Sequence, residues 1–300
     1  MLIYLKLIAS VTLWGGTWVA GRYLAGHFSP FSAAFLRFTM ASAFLFFLAC
    51  RTEGGLPRLT RRNILPLALL GLSGVFLYNA FFFSGLKTVE AGRAALIVAA
   101  IPAVVSLYSG LFLKEAFPPG KIFGVALSFA GVAVIVSGGD FMTLLSQGLS
   151  TGDLFIFGCV LSWSAYTLIG KTVMGSISPL SSVAWSCILG DLFLLGPALF
   201  SGLLRETANA NATDWLCLFY LGVLSTGYAF TWYYQGVKAI GPSRAGVFIN
   251  IVPIAAVSLG VLILGEPLSP SLAAGGVLVM MGVWLTNKKR LEKKLTQASA

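Results

Sequence analysis

Lys87–Gly131 reads KTVEAGRAALIVAAIPAVVSLYSGLFLKEAFPPGKIFGVALSFAG, and Lys238–Gly282 reads KAIGPSRAGVFINIVPIAAVSLGVLILGEPLSPSLAAGGVLVMMG. Lys87, Arg93, Pro102, Glu115, Gly124 and Gly131 each recur 151 positions later, as Lys238, Arg244, Pro253, Glu266, Gly275 and Gly282. Six identities at one fixed offset in an apolar chain mark two copies of one segment. The repeat continues upstream at an offset of 149, where Trp14, Gly21, Gly26, Ser29 and Pro30 answer to Trp163, Gly170, Gly175, Ser178 and Pro179. The chain is therefore a duplicated unit, and in a membrane protein an internal duplication points to a transporter.

The membrane setting follows from composition. Hydrophobic residues make up 57% of the chain and charged residues only 10%, against roughly 25% charged in an ordinary soluble domain. Charge-free runs such as Leu7–Gly21 and Trp215–Val237 recur to the C-terminus. About 20 such residues, at 1.5 Å rise each, cross a hydrocarbon core of roughly 30 Å. No A-x-A-type cleavage site follows the first run, so it reads as a retained span. Cys50, Cys159, Cys187 and Cys217 lie singly in or beside apolar runs, which fits small packing residues better than redox or metal chemistry.

Punctuation by Pro, Gly and charge predicts ten helices, at 3–22, 31–49, 64–86, 92–113, 120–138, 152–173, 180–203, 215–237, 244–264 and 270–287. With both termini cytoplasmic, fifteen basic residues fall on the inner side: Lys6, Arg51, Arg58, Arg61, Arg62, Lys114, Lys121, Lys171, Lys238, Arg244, Lys288, Lys289, Arg290, Lys293 and Lys294. Only Arg22, Lys87, Arg93 and Arg205 fall outside. This positive-inside bias accounts for the net charge of +10 without a nucleic-acid partner. Five spans per copy is an odd number, so the second copy enters the membrane upside down, and a site between the copies can open to either face in turn. The boundaries expected are 1–138 for the first repeat, 139–151 for a linker, 152–287 for the second repeat and 288–300 for a basic cytoplasmic tail.

At these residues the sequence resembles the EamA family of the drug/metabolite transporter superfamily. Leu13-Trp14-Gly15-Gly16-Thr17-Trp18 looks like its opening motif, and Pro30 with Ala33-Ala34-Phe35-Leu36-Arg37-Phe38 is similar to its second-helix motif. The runs 86–134 and 237–286, with a mid-helix Pro, a terminal Glu and spaced Gly, resemble the most recognisable part of each repeat. The resemblance implies an all-α integral membrane protein: ten transmembrane helices as two inverted five-helix repeats around a central cavity. It also implies transport of amino acids or other small metabolites, commonly export. One departure is local, since Arg37 corresponds to Ser186 in the second copy and the arginine motif is absent there.

Ionisable groups at a helix centre cost at least ~2.5–3.5 kcal/mol in the bilayer, and Arg37 and Asp191 are the two such groups here. A functional reading makes Asp191 a proton or substrate-ammonium site and Arg37 an anchor for a carboxylate. A structural reading ties each to backbone carbonyls or to the other. The aromatic residues come next. Trp14 and Trp18 share a helical face, as do Tyr228 and Trp232; Trp163 repeats Trp14 with Tyr166 three residues on, and Tyr78 and Asn79 interrupt the third span. These residues fit a cavity that holds amphipathic or aromatic substrates, with cation–π attraction for an ammonium, or alternatively an interfacial belt. Asn250, Pro102 and Pro253 form a third group. A mid-span proline frees a carbonyl and weakens the helix, as a cavity-facing break or as a packing kink. Glu115 and Glu266 read as turn or interface residues at solvated span ends. Gly124, Gly131, Gly275 and Gly282 keep one helix face small for close packing. Asn211-Ala-Thr matches a glycosylation pattern.

The only histidine is His27, which removes His-based metal or triad chemistry, and Gly170-Lys171-Thr172 lacks the glycine and strand context of a phosphate loop. No cofactor is expected. The expected protein is an inner-membrane transporter, monomer or homodimer, moving a small-molecule substrate by alternating access, with proton coupling through Asp191 if coupling exists. A multidrug or cation exporter is the alternative within transport, and a membrane enzyme or non-transporting scaffold the alternative outside it.

Overall fold

The computed structural model describes residues 2–112, 119–140, 142, 149–173, 177–240 and 248–298, so Lys114, Glu115, Pro118 and Arg244 lie outside the described residues. Regular structure among the described residues is helical throughout. The first half comprises α1 (Leu2–Ala25), α2 (Pro30–Glu53), α3 (Arg61–Leu70), a π-helical segment π1 (Gly71–Leu77), α4 (Tyr78–Leu86), α5 (Ala91–Val98), α6 (Ile101–Phe112) and α7 (Pro119–Ser137). The second comprises α8 (Thr151–Val173), α9 (Pro179–Phe200), α10 (Leu203–Ala208), α11 (Ala212–Phe219), π2 (Tyr220–Tyr228) and α12 (Ala229–Ile240). It ends with a 3₁₀ turn at Phe248–Asn250, α13 (Ile251–Leu264) and α14 (Pro270–Ala298).

Among the described residues seven helices are long and apolar enough to cross a membrane, and Ala91–Val105, Ile251–Leu264 and Pro270–Leu285 are shorter apolar helices beside them. The protein is a multi-pass membrane protein. Below, the face bearing the N-terminus is called proximal and the face bearing the α1–α2 turn distal.

The repeated Ser-Pro pairs start the second helix of each half. Ser29 and Ser178 adopt extended backbone, their hydroxyls accept from the N–H groups of Ser32 and Ser181, and the prolines take the first helical position. Two single-helix expectations need correction. The span expected at 92–113 is broken after Val98, and Pro102 stands in the first turn of α6. Pro253 likewise stands in the first turn of α13, after the 3₁₀ turn that ends at Asn250. Both prolines lie where their missing N–H is not needed, so each opens a helix piece instead of kinking a continuous one. The tail expected from 288 continues α14 to Ala298.

The two halves are interlocked. α1 packs on α12, π2 and α13, while α8 packs on π1, α4, α5 and α6; α2 packs on α9, and α7 runs along α14. Glycine makes these approaches close. A Cβ on Gly131 would stand 2.6 Å from the Val279 nitrogen and 2.7 Å from the Gly275 carbonyl, so backbone meets backbone between α7 and α14. The same happens at two inverted crossings. A Cβ on Gly222 would lie 2.7 Å from the Arg37 carbonyl, and one on Gly71 would lie 2.9 Å from the Ser186 carbonyl. Gly71 and Gly222 are 151 apart, and Arg37 and Ser186 are 149 apart, so the crossings are copies of each other and obey both sequence offsets. π1 begins at Gly71, and π2, which begins two residues earlier at Tyr220, carries Gly222.

Candidate functional site

The π-helical segments set the geometry around Arg37. A π turn widens the helix and leaves backbone carbonyls to be met by side chains. Asn79 Nδ2 donates to the Val75 carbonyl at 2.8 Å and to that of Gly74 at 3.5 Å, and Thr226 Oγ1 donates to the Leu221 carbonyl at 2.8 Å. With their protons committed, both side chains offer oxygen lone pairs to Arg37. Nη1 of Arg37 donates to Asn79 Oδ1 at 3.0 Å, and Nη2 reaches Thr226 Oγ1 at 3.5 Å. Nε has no partner. The guanidinium lies 5.1 Å from the Phe38 ring centre and 6.0 Å from that of Phe82. Its neighbours Asn79, Thr226, Phe38 and Phe82 are buried, Arg37 itself is half-buried, and its Nε lies among the buried atoms. No carboxylate pairs with it among the described residues.

Aromatic rings extend from this point. Phe82 packs on Trp18 at 5.0 Å and on Tyr78 at 6.0 Å; Tyr78 packs on Trp163 at 5.1 Å, and Trp163 on Tyr166 at 5.1 Å. Trp18 and Phe82 are buried, whereas Tyr78, Trp163 and Tyr166 are half-buried. The structure thus gathers Arg37, Asn79, Trp18, Tyr78, Trp163 and Tyr166 into one connected set.

Other residues named from the sequence lie elsewhere. Trp14 donates from Nε1 to the Ser225 carbonyl at 2.9 Å and packs on Phe230 and Tyr233. Tyr228 packs on Phe44 and Trp232 and is 42% exposed, so that pair faces outward across α2. Asn250 closes the 3₁₀ turn before α13. Asp191 does not meet Arg37. Its Oδ2 accepts from Thr39 Oγ1 at 3.0 Å, on the far side of α2, and its Oδ1 is buried without a partner. Thr226 was not legible as a site residue from composition, although a threonine beside Ser225 in an apolar span is a visible signal.

Charged groups that sequence reading placed in solvent are engaged at the distal face. Glu266 accepts from the backbone N–H groups of Ala91 at 2.6 Å and Gly92 at 3.0 Å, and so caps α5 from the opposite half. Arg22 donates to the Leu86 carbonyl. Glu206 accepts from the Ser29 N–H and hydroxyl, each at 3.1 Å. Its proximal counterpart is Glu53, which accepts from the hydroxyls of Ser178 and Ser181 at 2.7 Å. Asn211 of the glycosylation pattern is the N-cap of α11, in a reciprocal capping box with Asp214. A distal hollow of about 440 Å³ is lined by His27, Arg205, Glu206, Asn209 and Asp214 among others, and by none of the residues singled out for transport. Its acids are already occupied, Asp214 by His27 at 2.6 Å and Glu206 by Ser29.

Among the described residues no group of His, Cys, Asp and Glu is arranged to hold a metal. The geometry is that of an interior cation framed by neutral acceptors and aromatic rings, between interlocked inverted halves. Comparison with known proteins agrees with this architecture. The chain is similar to the uncharacterized transporter YyaM of Bacillus subtilis, 29% identical over 94% of this chain and 92% of that one. An uncharacterized transporter of Archaeoglobus fulgidus is 32% identical, over 96% and 98%. A probable terminal-alkyne amino-acid exporter of Streptantibioticus cattleyicolor is 26% identical, over 96% and 94%. One solved crystal structure, 22% identical, shares the fold with a TM-score of 0.64 over 95% of this chain and 96% of that chain. The family model for EamA-like transporters matches residues 1–137 and again 150–288, and the chain belongs to the EamA-like transporter family.

Proposed function

We infer that this transporter moves small metabolites, amino acids or related compounds, outward across the inner membrane by alternating access, with both termini cytoplasmic. The observation that carries this reading is the pair of inverted crossings, Gly222 on Arg37 and Gly71 on Ser186, beside the interior set of Arg37 and the aromatic rings. Two equivalent close contacts, one toward each half, let the halves exchange conformations about a fixed interior site. The amino-acid exporter among the relatives and the basic residues of the proximal loops support the substrate class and the orientation. Asp191, with one unpartnered oxygen, is the group that would carry a coupled proton. Multidrug cation export fits less well, because the ionic group beside the aromatic set is itself a cation, Arg37.

The test is a comparison of extracellular metabolites from overexpressing and empty-vector cells, with the purified protein in liposomes as the second arm. Faster release of one compound class, reproduced in liposomes, is the expected result. Equal profiles across amino acids, nucleobases and vitamins would sink the exporter reading.

A further inference from the structure

The geometry points to a carboxylate subsite at Arg37, read by the Nε–Nη2 edge of its guanidinium, with the ammonium of a substrate left unread. This rests on the transport reading above and names the chemistry its substrate must carry. A guanidinium offers five N–H donors, and its Nε–Nη2 edge matches the two oxygens of a carboxylate. Here, among the described residues, Nη1 is held by Asn79 at 3.0 Å, Nη2 has only the long 3.5 Å contact to Thr226, and the buried Nε has no partner. The edge suited to a carboxylate is therefore the edge that the protein leaves unsatisfied. Asn79 and Thr226 cannot neutralise the charge, and they hold the fork in place by acceptors whose own protons are committed to π1 and π2. An orphaned charged donor in the interior is costly, and a bound carboxylate removes that cost.

The subsite exists in one half only. The counterpart of Arg37 is Ser186, whose hydroxyl donates to the Val183 carbonyl at 2.9 Å, and the counterpart of Asn79 is Phe230. A substrate is thus oriented, with its carboxylate at α2 and its apolar body along Tyr78 and Trp163. Among the described residues no carboxylate joins the set around Arg37 to meet an ammonium, since Asp191 is turned to Thr39. The protein therefore requires the acid and tolerates loss of the amine.

The experiment uses the purified full-length protein with four related probes: phenylalanine, 3-phenylpropionate (no amine), phenylalaninamide (no free acid) and phenethylamine (no acid). Leucine, 4-methylpentanoate, leucinamide and isopentylamine form a second set that changes the apolar body. Thermal stabilisation in detergent and exchange in liposomes are read together. The two acids of at least one set are expected to stabilise and exchange, with the amide and amine weaker by about tenfold or more, the discrimination a charged hydrogen bond supplies. Arg37→Gln is expected to lose the preference, and Arg37→Lys to recover it in part, because a point charge replaces the fork. Thr226→Val checks that the fold tolerates change at this locus while loosening the fork.

Amides and amines that match the acids in the native protein overturn the subsite and leave the transport reading standing. An acid preference that survives in folded Arg37→Gln also overturns it. Absence of exchange with all eight probes, together with unchanged extracellular metabolites, removes both the subsite and the transport reading on which it rests.

Discussion

Arg93 donates from Nη2 to both carboxylate oxygens of Asp153, at 2.9 and 2.8 Å, and from Nε to one of them at 3.2 Å. The same guanidinium donates to the Val136 carbonyl at 3.1 Å, so one ion pair ties α5, α7 and α8 together at the distal face. The partners are unequally buried, with side-chain exposure of 27% for Arg93 and 2% for Asp153. Removing arginine strands a buried carboxylate, which keeps only the Ser150 hydroxyl at 2.7 Å, whereas removing aspartate leaves a guanidinium that water can reach. Arg93→Ala is therefore expected to cost more, about 3 kcal/mol, and Asp153→Ala roughly 1–2 kcal/mol. The double variant should lose at least about 1 kcal/mol less than the sum. Thermal unfolding of the four proteins in one detergent closes the cycle. Additive losses would show that the pair is not coupled.

The inverted crossings make a second prediction. A methyl group at Gly222 meets the Arg37 carbonyl at 2.7 Å, and one at Gly71 meets the Gly190 nitrogen at 2.7 Å. Neither neighbour is a flexible side-chain tip, so the helices must part. Gly71→Ala and Gly222→Ala are each expected to destabilise by about 1–3 kcal/mol. Gly196→Ala is the control, because nothing lies within 4 Å of its Cβ position. That variant should be neutral or gain up to about 1 kcal/mol from helix propensity. Similar melting temperatures for all three would contradict the close crossings.

Much of this arrangement is legible in the residues alone. The duplication, its inversion, the helical class and the isolation of Arg37 in one copy all follow from residue identities at fixed offsets. The π segments were not legible, because hydropathy does not distinguish one helical pitch from another. A glycine pair at 71 and 222, at the same offset of 151, was the available signal. Glu266 is the interface residue its span-end position suggests, but its partners are not legible, because two backbone N–H groups of α5, 175 and 174 residues away, carry no side-chain signature. Arg37 and Asp191 could be paired on the sequence, since α2 and α9 do touch. Two positions on α2 decide otherwise, because residues two apart point to opposite sides of a helix: Arg37 faces Phe82 and Thr39 faces Asp191.

The aromatic residues divide into an interior set and an outward set, and their variants should divide likewise. Tyr78→Ala and Trp163→Ala remove half-buried rings that pack on each other at 5.1 Å within reach of the Arg37 locus. Tyr228→Ala and Trp232→Ala remove a pair on the outer side of α2, where Tyr228 is 42% exposed. Substrate exchange in liposomes, corrected for folded protein, should fall by about tenfold or more for the first two, as loss of a buried aromatic contact implies. Less than about twofold change is expected for the second two, as for exposed positions generally. A larger effect at Tyr228 than at Trp163 would place the permeation route on the other side of α2.

Asp191→Asn separates coupling from transport. Asparagine keeps the size of the side chain and an oxygen that can accept from Thr39 Oγ1, so the contact between α9 and α2 at 3.0 Å is retained. It cannot take up or release a proton. If Asp191 carries the coupled proton, the variant should exchange substrate down its gradient at near the native rate and should fail to concentrate it when a pH gradient is imposed. Thr39→Val is the companion variant. It removes the one hydrogen bond to Asp191 and leaves the carboxyl able to ionise, so uphill flux should persist with an altered dependence on pH. Full proton-driven accumulation by folded Asp191→Asn would remove this residue from the coupling role and leave it as a polar contact between two helices.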